Sequence, residues 1–386
     1  MTLQQVVTNK DIKLFLKFPV QLYKNKPNWI RPLDKDIESV FDPKENKSFR
    51  FGTAIRWILK NNSNEVIGRI AAFTNSKTGK SGSLLVGGMG FFECIEDQDA
   101  AFVLFDSAKE WLLGQNCNAI DGPINYGERD RWWGLHIEGD IEPNYGMFYH
   151  HFYYKAFFEN YGFQNYFEQY TFSMMVRDEL PDSYKEKAIR IARDSEYHFK
   201  CFEKKLLSKY AEDFCTIYNQ AWVKHDGTGA MKKAQVEGMF KKMLPVLDPD
   251  IIIFAYHGDK PVGFFLMLPE LNQIFKYING NLNWLGKLKF FYHQKMKSCR
   301  KIFGVVFGVV PEYQGKGMEG ALVMESARIV QPAFRYDTFE MNWVGDFNPK
   351  MIRVAETLGA KICKKHITYR LILDQNIAFE RMKVIK

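Results

Sequence analysis

The chain has 386 residues, of which 46% are hydrophobic and 25% charged, with a net charge of +8. That length exceeds a typical single core and suits two domains, and the balance is globular rather than disordered or fibrous. Six scattered cysteines (Cys94, Cys117, Cys201, Cys215, Cys299, Cys363) with no Cys-x-x-Cys pair argue against a zinc site or a disulfide framework and point to a reducing, cytoplasmic setting. The opening MTLQQVVTNKDIKLFLKF mixes charges and lacks the apolar stretch of a signal peptide. No run approaches about 18 apolar residues, so no membrane span is expected.

In chain order, 54–95 is rich in strand patterns and 100–113 reads as a helix. The stretch 122–158 interrupts the pattern with Trp132, Trp133, Tyr145, Phe148 and Tyr149 beside Glu128, Asp130, Glu138 and Asp140. It reads either as a long loop pinned by buried aromatics or as the wall of a pocket for a cationic or aromatic amine. His150 and His151, taken as neighbours on a helix, diverge, and no third ligand is suitably spaced; no metal is expected. A polar segment, 181–195, marks a boundary. It divides the chain into a first domain over 1–180 and a second over 195–386.

The second half reads as a strand at 197–202, helices at 211–222 and 235–247, and a hairpin of strands 251–256 and 262–268 around His257-Gly258-Asp259-Lys260-Pro261. Then come a strand at 302–310, a helix at 319–330, a strand at 338–344, a helix at 349–358 closed by Gly359, and two last strands around Cys363 and 369–373. Strands alternating with helices give a mixed α/β sheet. The halves also look like distant copies. NEVIGRIAAF (64–73) resembles DKPVGFFLML (259–268), and FFENYGFQNYFEQYTF (157–172) resembles VAETLGAKICKKHITY (354–369). Gly68 and Gly263 lie 195 positions apart, Gly162 and Gly359 lie 197 apart.

The stretch GVVPEYQGKGMEGALV (308–323) places three glycines within six positions between a strand and a helix, a turn suited to an anion. A nucleotide P-loop needs Gly-Lys followed by Ser or Thr, whereas Gly315-Lys316 is followed by Gly317. The dinucleotide fingerprint matches as Gly315-x-Gly317-x-x-Gly320, but Pro311-Glu312-Tyr313-Gln314 separates it from the strand, and Asp337 precedes the next strand instead of ending it.

A third reading accounts for more residues. Val-x-Pro-x-x-Gln-Gly-x-Gly before a helix resembles the acyl-CoA loop of the GCN5-related N-acetyltransferase (GNAT) superfamily, and Asn348-Pro349 with Gly359 eleven residues after Asn348 resembles that family's Asn…Leu-Gly-Phe segment. The resemblance covers roughly 200–375. It implies two tandem GNAT-like domains, each a mixed, mostly antiparallel sheet flanked by helices. It further implies acetyl-CoA or another acyl-CoA as co-substrate, held by Val309, Val310, Gln314, Gly315, Lys316, Gly317, Gly320 and Asn348, with a backbone N–H near Val309 or Val310 facing the oxyanion. Glu319 departs from the pattern, standing where a small residue belongs. Where the first half should carry the same loop, 90–103 offers Glu96, Asp97 and Asp99 and no glycine turn, so that half reads as a copy that has lost CoA binding.

Acyl transfer to an amine needs a proton acceptor, an oxyanion donor and often a proton for the leaving thiolate. The tyrosine the family supplies for the last role is replaced by Ala355, and in the first half by Phe158. Glu340 is a candidate base, if it is not simply solvated at a strand edge. With Asn342 and Val344 it is expected on one strand face, Met341 and Trp343 on the other. Tyr369 is a spare acid. The function implied is N-acyl transfer to a small-molecule or peptide amine. The alternatives are an aminoacyl-tRNA-dependent transferase of the same fold and a non-catalytic acyl-CoA-binding protein. Between Leu271 and Lys301 lie seven basic residues and no acid, interleaved with Phe275, Tyr277, Trp284, Phe290, Phe291 and Tyr292. Such a stretch suits a phosphate-bearing ligand, a nucleic acid such as tRNA or an anionic membrane surface, or else is a solvated insertion whose aromatics pack on the domain.

Overall fold

Local chemistry sets where the elements begin and end. In a computed structural model, which describes residues 1–82, 84–222 and 230–385, the first half runs β1 (Thr2–Gln5), α1 (Asn9–Leu22), α2 (Asp34–Phe41), β2 (Ala54–Lys60), β3 (Val66–Phe73), β4 (Lys80–Ser81) and β5 (Leu84–Cys94). It continues through α3 (Gln98–Gly114), β6 (Ala119–Gly122), β7 (Leu135–Glu138), α4 (Tyr154–Tyr161) and β8 (Gln164–Met175). Thr8 and Asp11 form a reciprocal capping box on α1, and Asp97 caps α3 through the Ala100 N–H. Gly162 ends α4 at φ +105°, a left-handed conformation that a Cβ would disfavour.

Helix α5 (Asp182–Ala192) leads to β9 (Tyr197–Cys201), α6 (Leu207–Trp222), α7 (Lys233–Met243), β10 (Ile252–His257) and β11 (Lys260–Pro269). After α8 (Asn272–Phe275) and α9 (Trp284–Lys295) come β12 (Lys301–Val309), α10 (Met318–Val330), β13 (Thr338–Gly345), α11 (Pro349–Thr357) and β14 (Lys361–Ile372). The chain therefore ends in one long strand where two are expected. The stretch from Cys363 to Tyr369 holds no glycine or proline to turn it, and two register shifts absorb its irregularity.

The strands hydrogen-bond in the order β1-β2-β3-β5-β6-β14-β8-β13-β12-β11-β10-β9. The halves exchange their last strands: β14 inserts between β6 and β8, and β8 separates β13 from β14. One face of the first half is covered by α3 and α4 over Phe92, Phe105, Phe158 and Tyr369. The other carries Phe15, Phe91, Trp132 and Trp133 beneath α1 and α2. Helices α6, α7 and α10 cover the second half over Phe214, Phe254, Phe264 and Leu322. Each such side chain contributes roughly 1.5–3 kcal/mol by leaving water.

The repeated glycines perform one task twice. A Cβ on Gly68 would stand 2.6 Å from Leu104 Cδ1 of α3, and one on Gly263 would stand 3.0 Å from Leu322 Cδ1 of α10. Each lets a helix settle onto its sheet. The face assignment along β13 needs correcting. A register shift between Met341 and Val344 puts both against Ala355 of α11, while Trp343 joins Phe167 and Phe347 on the other side. The extra residue of the bulge breaks simple alternation.

Candidate active site

The site is built from a failure of pairing. Strands β12 and β13 run parallel only from Lys301 opposite Thr338 to Gly304 opposite Met341. Beyond that point β12 stays on β11 and β13 stays on β8, and the sheet splits between them. A bulge adds Val305 to β12 there, and Val305 is exposed at the opening. The Val310 N–H is committed to the Val262 carbonyl at 2.9 Å, so it cannot be the oxyanion donor the sequence allowed. Antiparallel pairs alternate, so the Val309 N–H points away from β11 and into the split.

The first half shows the same split, filled. Strands β5 and β6 pair only from Val86 to Gly88, and β5 then continues on β3 without β6. Gly68 faces Cys94 as Gly263 faces Val309, which makes Cys94 the counterpart of Val309. The Cys94 N–H donates to the Tyr154 hydroxyl at 2.9 Å, and Ile124 lies so close that a Cβ on Gly90 would stand 1.8 Å from its carbonyl oxygen. A plug from 122–126 and α4 takes the space.

At the end of β12 the chain turns through Gly315 at φ +70° and Gly317 at φ +106°, and Gly317 opens α10. Gln314 Nε2 donates to the Val309 carbonyl at 2.8 Å and ties the turn to the strand. The first N–H groups of α10 lack intrahelical acceptors and carry the positive end of the helix dipole. Helix α5 brings the Arg190 guanidinium to this turn and lays the stem of Lys187 against the start of α10, neither of which the sequence flagged. A Cβ on Gly317 would lie 2.8 Å from Arg190 Nη2, and one on Gly320 would lie 2.8 Å from Lys187 Cβ. Lys316 is exposed, its ammonium 5.9 Å from the Tyr313 ring. Glu319 already occupies one donor, its Oε1 accepting the Gly315 N–H at 3.1 Å. The turn thus fits a phosphate, with an internal carboxylate held on one of its amides. Asn348 caps α11 through the Met351 N–H, and Pro349 is the first helical residue.

Glu340 is not solvated. It is 1% exposed at the base of the split, with Lys301 Nζ 2.6 Å from Oε1 and Lys364 Nζ 2.9 Å from Oε2. Lys364 also donates to Asn144 Oδ1 and to the Glu142 carbonyl. Burial opposes ionisation, but the two ammoniums prevail and hold the Glu340 carboxyl below its ordinary range. A carboxylate so stabilised is a weak base. Tyr369 is buried against Phe158, its hydroxyl donating to Glu159 at 3.0 Å and its pKa pushed up by burial. The structure places it in the first-half core and does not bring it to the glycine turn.

Glu270, fully buried near this network, accepts the Tyr145 and Asn272 N–H groups, and burial raises its pKa to about 7. Between the unfolded value near 4.5 and 7 the native state therefore binds the extra proton, and this group's contribution to stability falls as pH rises through that window. Glu270→Gln is expected to flatten the pH dependence from pH 5 to 7.5 by about 1–3 kcal/mol, measured by chemical denaturation. An unchanged slope would reject it.

His150 and His151 precede α4 and are not helical. His150 Nδ1 accepts the His136 N–H, His136 and His366 pack ring to ring 5.0 Å apart, and burial pushes His136 down to about 4 and the other two well below their ordinary value. Among the described residues no group of His, Cys, Asp or Glu is arranged to hold a metal ion. The aromatic insertion turns Trp132, Trp133, Phe148 and Tyr149 inward and leaves Glu128, Asp130, Glu138 and Asp140 exposed. A cavity of about 40 Å³ beside Arg69, Glu93 and Trp29 is what remains on its inner side. That is room for one or two waters.

Comparison with proteins of solved structure identifies the architecture. A tandem GNAT protein from the clavulanic acid biosynthesis pathway superposes with a TM-score of 0.53 at 10% identity, over 97% of this chain and 98% of that one. The fold is that of the tandem GNAT proteins. A GCN5-related glucosamine N-acetyltransferase region of a fungal multi-domain β-N-acetylglucosaminidase gives a TM-score of 0.54 at 11% identity, over 96% of this chain but 38% of that longer one. By sequence, the chain is 25% identical to Protein YghO of Escherichia coli over 366 residues, 94% of this chain and 93% of the relative. It is 23% identical to the bacterial ceramide synthase of Caulobacter vibrioides over 373 residues, 95% of this chain and 96% of the relative. No family model matches.

Proposed function

We propose that the chain is an N-acyltransferase using acetyl-CoA or another acyl-CoA, bound in the β12–β13 split of its second half. The observation that carries this reading is the split itself, which opens at Val305 and runs along an uncovered strand edge into the Gly315–Gly317 turn. The thioester would bring the activated acyl group. The chain's own part is to receive the phosphates on the turn, with Arg190 beside it, and to aim the Val309 N–H at the acyl oxygen. As the neutral amine forms its bond to the acyl carbon, the carbon–sulfur bond breaks, and the proton lost by the amine nitrogen passes to the departing thiolate, which leaves as the free thiol. Glu340 serves here as a buried counter-charge and not as the base.

Ceramide is an amide of a fatty acid and a long-chain amino alcohol. The similarity to a ceramide synthase over nearly the whole chain supports an amphiphilic amine as acceptor and an acyl group longer than acetyl. A second reading, an acyl-CoA-binding protein without turnover, is favoured by Ala355 at the family's tyrosine position and by Glu319 on the turn.

Thiol release from acyl-CoA donors of increasing chain length, against small, peptide and long-chain amines, tests the reading. Saturable release with one amine class is expected. Binding without release would favour the second reading, and absence of CoA binding would sink both. Calorimetry is expected to give one site per chain, because the first-half split is plugged. In the same experiment Glu319→Gln is expected to tighten CoA about fivefold, since removing one partly exposed repulsive charge contributes about 1 kcal/mol. Unchanged or weaker binding would mean that Glu319 does not compete with the phosphates.

A further inference from the structure

The insertion between β11 and β12 is anchored on one side and bare on the other. Gly286 and Phe290 of α9 face inward over Ile278 and Phe275, and the Asp34 N–H bonds the Gly280 carbonyl, tying the insertion to the first half. At about 100° per residue, Trp284, Leu285, Leu288, Phe291, Tyr292 and Met296 fall on the opposite arc. They do not pack on the domain: Trp284 is 69% exposed, and Tyr292 and Met296 are each 61% exposed. Lys287 and Lys289 flank this arc on its two sides, Lys295 lies within it, and Lys297 follows the end of the helix. Among the described residues these four lysines form no ion pair, whereas Lys276, Arg300 and Lys301 are paired with Glu142, Asp337 and Glu340.

We propose that this outer face of α9 seats the protein on the surface of an anionic lipid bilayer. The chemistry selects that partner. Aliphatic and aromatic side chains on one arc enter the headgroup–acyl boundary, Trp and Tyr favour that boundary, and flanking lysines snorkel to lipid phosphates. A protein interface core is depleted of lysine, which Lys295 contradicts. Leu285, Leu288 and Met296 offer nothing to stacked bases, which disfavours RNA. Twelve residues rise about 18 Å, so α9 lies in the interface rather than crossing it. Among the described residues no helix is long and apolar enough to span a membrane. The insertion leads into Lys301, the first residue of β12. The proposal stands whether or not acyl transfer is confirmed.

Co-sedimentation of the full chain with phosphatidylcholine vesicles, with and without phosphatidylglycerol at about a third of the lipid, tests it. The anionic vesicles are expected to retain the protein at least about tenfold better, and high salt to weaken retention. The double variant Trp284→Ser/Phe291→Ser should lose about tenfold or more on the anionic vesicles. Lys287→Gln/Lys289→Gln/Lys295→Gln should lose the preference for anionic lipid. All five side chains are exposed, so the melting temperatures should not move. Equal retention by native chain and variants would overturn the proposal. So would vesicle indifference with RNA retention in a gel shift that the lysine variant abolishes, or with a dimer in solution that Phe291→Ser dissociates.

Discussion

Acetyl-CoA is expected to raise the melting temperature of the native chain, and Gly317→Val is expected to abolish that rise. Gly317 holds φ +106°, which a β-branched residue adopts only under strain, and its Cβ would meet Arg190 Nη2 at 2.8 Å. The variant therefore either pushes Arg190 off the turn or bends the turn itself, and both changes remove donors from the phosphate position. A ligand stabilises only as far as it binds the folded state, by about 2.7 kcal/mol at a hundredfold excess over Kd, so losing the site removes the whole shift. The strain should cost about 1–3 kcal/mol, leaving a folded protein in which the absent shift is readable by differential scanning fluorimetry. A shift of native size in Gly317→Val would sink the assignment of the turn.

What the sequence made legible was local. The glycine turn, the Asn348–Pro349 helix start and the Gly162 and Gly359 helix ends are written in residues that fix their own backbone. The repeat showed in Gly68 and Gly263 because each is needed where a helix meets a strand. The strand exchange left no such mark. Pairing of β8 with β13 and of β14 with β6 joins residues more than 150 positions apart, and either strand would read the same in its own half. Acids at 96–99 hinted that the first half lacks a phosphate turn, but the plug formed by Ile124 and Tyr154 is tertiary. Arg190 and Lys187 were hidden for the same reason: a polar linker helix gives no sign of which turn it will lie against. Glu340 reads as a strand-edge carboxylate until Lys301 and Lys364, 39 and 24 positions away, are seen closing over it. The stretch 271–301 was legible only as basic residues interleaved with aromatics, and the burial of Phe290 against the exposure of Trp284 shows which arc of α9 is left bare.

Glu340→Gln separates a counter-charge from a base. A catalytic base at the edge of the split would lose turnover on amidation with little change in stability. The geometry predicts the reverse emphasis. With Glu340 neutral, two ammoniums remain at the base of the split, Lys364 at 2% exposure and Lys301 at 12%, without the carboxylate that offsets their desolvation. Removing one partner of a buried ionic cluster costs about 3–5 kcal/mol, and that loss is expected in chemical denaturation at neutral pH. Adding Lys364→Met should restore part of it, because one unbalanced ammonium is gone, and the non-additivity of the pair measures the coupling. The pH dependence follows from the depressed pKa of Glu340. Its contribution is complete above the unfolded value near 4.5 and is lost as pH falls through the lower folded value, so the native chain and Glu340→Gln should converge in stability in acid. Destabilisation below about 1 kcal/mol, or no recovery with Lys364→Met, would show that the cluster is not what holds the base of the split together.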